Sequence, residues 1–150
     1  MKLFVFSSYN LTNIWAGIGA RQWAISKRQA NIPSLKGRAK NITIGSAGIF
    51  YCAYGKRTFT TPFLISSKPN FEKTVKDIWP EEWKFPFKIF PLGSPLKQIS
   101  AYKLTSLLPS LKDGKKRWDY FFHIQGTTAF APSEITDKDW EILISELSDI

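Results

Sequence analysis

Apolar and polar positions alternate in short runs along most of this chain, and that pattern predicts strands more often than helices. Residues 2–7, Lys-Leu-Phe-Val-Phe-Ser, form a first run of strand-favouring residues. A polar turn, Ser8-Tyr9-Asn10-Leu11-Thr12-Asn13, follows, then one or two helical turns over 14–20 and a short strand over 22–26. Residues 27–42 read as a long basic loop with Pro33 and Gly37, and long loops in compact domains are often functional. The near-continuous apolar run 47–54, the basic turn Gly55-Lys56-Arg57 and the run 58–66 predict a hairpin. Pro62 inside its second arm predicts an edge position or a bulge.

The second half is more punctuated. Residues 68–78 read as a loop or short helix. Pro80 and Pro86 hold Trp79 and Phe85 away from helical dihedrals, so 77–84 reads as a polar loop with two tryptophans and 85–91 as a strand. Tyr102, Leu104, Leu107 and Leu108 mark a modest helix before Pro109, and 118–124 reads as a strand. The clearest helix is the last. Thr136 and Asp139 stand at capping-box spacing, and Trp140, Leu143, Ile144 and Leu147 share one face. Strands adjoin strands, so the pattern predicts an α+β fold or a small barrel of about six strands with peripheral helices. The 150 residues suit one domain, read either as the whole protein or as the N-terminal piece of a longer chain.

Charge sharpens this picture. The net charge is +9, and all 12 acidic residues lie from Glu72 onward. The first 71 residues carry ten basic ones and no acid, an asymmetry that points to a polyanion such as nucleic acid. Arg21, Lys27, Arg28, Lys36, Arg38, Lys40, Lys56 and Arg57 are the candidate phosphate ligands. One cysteine, Cys52, leaves no disulfide framework or zinc cluster and suits a reducing cytoplasm. No apolar run reaches membrane-spanning length. The lone histidine, His123, has no ligand partner at metal spacing. Gly17-x-Gly19 lacks the context of a dinucleotide loop, and Glu81-Glu82 point apart. With no catalytic, metal or cofactor set, the expectation is a binding module rather than an enzyme. The two tryptophans of the loop either pack beneath it or wall a pocket.

Three motifs carry a resemblance. Asn13 is followed ten residues on by Trp23-Ala24-Ile25-Ser26. Residues 46–67 form a central hairpin, and Ile78-Trp79 precedes Trp83 and Phe87-Lys88-Ile89. Together they resemble the EVE and YTH branch of the PUA-like superfamily. Over residues 2–92, and more loosely through Gln125-Gly126 and the last helix, the chain resembles the DNA-recognition domains of McrB-type restriction proteins. The resemblance implies a small twisted PUA-like barrel. It implies a cage of Trp23, Trp79 and Trp83, with Asn13 on the base edge, Ala24 offering backbone and Tyr9 nearby. Tyr9 stands where the family has asparagine, and Ala24 where it has serine. The implied function is recognition of a flipped modified base, N6-methyladenine in DNA, on behalf of an AAA+ GTPase motor and a nuclease subunit. The alternatives are a reader of methylated RNA and a reader of modified cytosine in DNA. A small nuclease and a protein-interaction module are further readings.

Overall fold

The described residues, 1–124 and 130–149 of a computed structural model, form eight strands and six helices. Gln125 and Gly126 lie outside them. The strands are β1 (Lys2–Ser8), β2 (Gln22–Ser26), β3 (Ala47–Cys52), β4 (Thr58–Ile65), β5 (Thr74–Val75), β6 (Trp83–Pro91), β7 (Gln98–Ser100) and β8 (Ser133–Glu134). They make one sheet in the order β2-β6-β4-β3-β1-β8, with β5 on β6 and β7 on β4. β1 and β3 pair in parallel, and the other pairings are antiparallel. The expected six strands are therefore eight. β2 and β8 end the pairing path, so among the described residues no barrel closes.

The sheet is buried on both faces, which explains its near-continuous apolar runs. On β1, Leu3 and Val5 face one core while Phe4 and Phe6 face the other. β3 alternates likewise, with Ala47, Ile49 and Tyr51 against Phe50 and Cys52. β4 changes sides midway. Phe59 lies in the second core, yet Phe63 and Ile65 lie in the first, although all three are odd-numbered. The cause is a bulge. The β3–β4 register shifts between Gly48 and Phe50, and Thr61 has φ +53°. One extra residue reverses the alternation. Pro62 thus sits in a bulge, but β3 and β6 flank its strand, so it is not on an edge. Phe85-Pro86 repeats the device. Phe85 has φ +59°, and the β2–β6 register shifts opposite it, between Trp23 and Ile25.

The helices are α1 (Leu11–Ala20), α2 (Lys27–Ala30), α3 (Pro33–Ala39), α4 (Ala101–Leu107), α5 (Trp118–Phe121) and α6 (Asp137–Leu147). Several expectations change here. α1 starts early because the Asn10 side chain accepts from the Asn13 N–H, so Asn13 lies in a first helical turn rather than a loop. The loop 27–42 contains α2, capped by Ser26, and α3, which begins at Pro33 and buries Leu35 and Ala39 four residues apart. The strand expected over 118–124 is one helical turn followed by a bend. Trp118, Phe121 and Phe122 have helical spacing, and all pack on the second core. α6 has its expected capping box. Trp118 and Trp140 pack against the second core, whereas Trp15 is 44% exposed on α1.

Candidate functional site

Three tryptophans that lie far apart in sequence meet in the first core. Trp23 enters from β2, Trp83 opens β6, and Trp79 comes from the preceding loop. All three are at least nine-tenths buried. Trp79 and Trp83 stack at 4.2 Å with 12° between their planes. The Trp23 ring meets both edge-on, at 5.6 and 5.1 Å. Gly17 allows Trp23 to sit there, because a Cβ on Gly17 would lie 2.9 Å from the indole and 2.8 Å from the Gln22 carbonyl. The Trp79 Nε1–H donates to the Asn13 carbonyl at 3.0 Å, which ties the loop to α1. Two parallel walls around a base stand about 7 Å apart, twice a van der Waals contact. The Trp79–Trp83 pair is closed by that measure.

Beside this cluster is a cleft of about 460 Å³, a size common for small-ligand sites. Val5, Ser7 and Ser8 of β1 line one part, and Trp23, Ala24, Ile25 and Ser26 of β2 another. Tyr9, Asn13 and Trp83 also line it, as do Arg28, Gln29, Ile32 and Leu35 from the α2–α3 region. Glu81, His123, Ile124 and Phe130 complete it. Trp79 does not line the cleft. The expected Asn13, Trp23, Ala24, Trp83 and Tyr9 thus converge on one cavity.

Two of the lining residues carry side-chain donors without acceptors among the described residues. The Trp83 Nε1–H is buried and makes no hydrogen bond. A buried unsatisfied donor costs about 1–3 kcal/mol, which a ligand acceptor would recover. The Asn13 carboxamide likewise has no partner there, its backbone making the local bonds.

The cations are scattered. Arg28 lines the cleft, with Lys27 beside it on α2. Arg21 caps α1 with its guanidinium 5.7 Å from the Phe90 ring centre, in a separate hollow. Lys36 lies over Phe71 and Phe85. Arg38 is half-buried and Lys40 exposed. Lys56 and Arg57 form the exposed β3–β4 turn. Sequence reasoning missed Ser7, Gln29, Glu81, His123 and Phe130 as lining residues. No local signal marks them, because each reaches the cleft through a different element.

No family model matches the chain, and no curated protein matches it by sequence. Solved structures do match. The YTH domain of the Zygosaccharomyces rouxii MRB1 protein, in complex with N6-methyladenosine RNA, superposes with a TM-score of 0.62 at 15% identity. That match covers 98% of this chain and 88% of the other. The Pho92 YTH domain in complex with m6A gives 0.58 at 12%, covering 99% and 85%. The Mmi1 YTH domain gives 0.55 at 12%, covering 97% and 93%. This chain has the YTH fold. On this YTH fold the cleft opens beside β2, next to the three tryptophans.

Proposed function

We propose that the chain is a binding module that reads N6-methyladenine in unpaired RNA. The observation that supports it most is the meeting of Trp23, Trp83 and Asn13 around one cleft, on a fold shared with a YTH domain solved with N6-methyladenosine RNA. RNA is read by sequence mainly where its bases are unstacked, since side chains cannot enter the A-form major groove. An adenine in the cleft offers ring-nitrogen acceptors to the Trp83 Nε1–H and the Asn13 carboxamide. Trp23 and Trp83 supply apolar contact, and Trp79 backs Trp83 through their stack. Arg28 at the cleft suits a flanking phosphate.

The reading as a DNA domain of a restriction complex has no comparable support and yields to the RNA reading. Methylation adds one apolar group to the base. Burying it contributes about 0.8 kcal/mol, or roughly fourfold in affinity. Fluorescence anisotropy with an RNA oligonucleotide carrying one N6-methyladenine, its unmethylated twin and DNA of the same sequence tests the proposal. The methylated RNA is expected to bind at least about fourfold tighter than its twin. Equal binding of the twins would reject the reading, and methyl-dependent binding tightest on DNA would restore the DNA alternative.

A further inference from the structure

Next to the cleft is a second feature that the base pocket does not use. β1 and β3 run parallel to the register Ser8↔Cys52, and the Ala53 N–H donates to the Ser8 carbonyl at 2.9 Å. The Cys52 Sγ lies 3.9 Å from the Tyr9 carbonyl and 3.8 Å from that of Tyr54. The backbones of Tyr9 and Tyr54 are therefore held side by side at the ends of two sheet strands. Their rings project together into solvent, with centroids 5.3 Å apart and planes at 49°. Tyr9 is 69% exposed and Tyr54 66%. Tyrosine usually buries much of its ring, so two touching exposed rings on a rigid base are an uncommon surface.

The pair joins two hollows. Tyr9 lines the main cleft. Tyr54 lines a smaller one of about 230 Å³, with Asn10, Leu11, Lys56 and Thr58. No carboxylate lines this second hollow, and Lys56 and Arg57 stand in the turn that follows Tyr54. Exposed aromatic faces with adjacent cations and no acid are the chemistry that binds single strands by stacking and phosphate contact.

We infer that Tyr54, Tyr9 and the hollow around Lys56 form a second subsite for the nucleotide next to the modified base. That neighbouring base stacks on Tyr54, and its phosphate meets Lys56. The subsite is indifferent to base identity, because every base has a stacking face. The inference rests on the RNA-reading proposal for the placement of the strand, and it can fail separately.

The test uses Tyr54→Ala and four RNA oligonucleotides. One carries a central N6-methyladenine, one is its unmethylated twin, and two carry the methylated base with an abasic sugar on its 5′ or 3′ side. Tyr54 is exposed, so a melting curve should show the variant folded. Tyr54→Ala is expected to weaken both twins by about tenfold and to leave their affinity ratio unchanged. One of the abasic strands is expected to bind the unaltered protein about as weakly, and Tyr54→Ala should then add little, because the two changes remove one contact. A full Tyr54→Ala loss on both abasic strands, or no loss on either twin, would overturn the subsite. If the twins bind alike but the coupling between Tyr54 and one abasic site persists, the base-pocket reading fails and the stacking subsite stands.

Discussion

Trp79 and Trp83 are neighbours in a stack, but their indole nitrogens differ. The Trp79 N–H is satisfied by the Asn13 carbonyl, while that of Trp83 is buried without an acceptor. Two conservative substitutions should therefore act in opposite places. Trp83→Phe keeps a ring on Trp79 and removes a donor that folding leaves unpaired, so its main cost should fall on RNA affinity. Losing a donor to the base predicts a weakening of about 0.5–1.5 kcal/mol. Trp79→Phe breaks a hydrogen bond within the fold, so about the same amount should come off stability, with lost apolar area in addition. Urea unfolding beside RNA titration separates the two. If Trp83→Phe destabilises the fold as much as Trp79→Phe and leaves affinity intact, the orphaned N–H has no role in binding.

At the scale of the element, α6 shows how one buried carboxylate can staple a helix to its neighbours. Asp139 is fully buried. It accepts from the Thr136 N–H, completing the capping box, and from both the N–H and the hydroxyl of Ser110 beyond α4. Burial opposes its charge and pushes the carboxyl up. The hydrogen bonds from Ser110 and Thr136 outweigh that and hold it below the ordinary aspartate value. The folded state therefore binds this proton less readily than the unfolded chain. The stabilisation is complete above the unfolded aspartate value, near 4, and is lost as pH falls through the lower folded one. Asp139→Asn should lower stability at neutral pH and flatten the acid limb of a stability-against-pH curve. An unchanged acid limb would mean that other carboxylates drive acid unfolding. α6 packs on the second core through Leu143 and Leu147, and none of its residues lines the cleft, so methyl discrimination should be preserved.

Across the whole molecule, side-chain ion pairs such as Lys76–Glu82, Arg117–Asp119 and Lys138–Glu141 lie in the second half of the chain. The first half keeps Lys27, Arg28, Lys40 and Lys56 exposed. Their field suits a phosphate track, which sets affinity and its salt dependence but not base choice. Arg38 is half-buried, so Lys40 is the better probe on that helix end. Replacing Lys27 and Lys40 together by alanine should lower the slope of log affinity against log salt by about 1.4, at about 0.7 for each single-strand phosphate contact. The ratio between methylated and unmethylated RNA should hold. A slope that does not move would place the track on another face.

Much of this protein is legible in local sequence. Short apolar, strand-favouring runs mark β1, β2 and the β3–β4 hairpin, alternation marks β6, and the Thr136–Asp139 pair marks the start of α6, because these signals depend on residues a few positions apart. The resemblance, rather than any local pattern, puts forward Asn13, Trp23 and Trp83, which line the cleft, and Trp79, which does not. Other features depend on partners distant in the chain. The bulge at Thr61-Pro62 reverses which face Phe63 and Ile65 take, and the proline signals a bulge or an edge without deciding between them. Helices α2 and α3 rest on two apolar anchors and on packing beneath them. Whether a tryptophan stacks on another, leaves its N–H without an acceptor or stands in solvent as Trp15 does is set by what lies across from it. Ser7, Gln29, His123 and Phe130 come from four separate segments, and only folding brings them to one cleft.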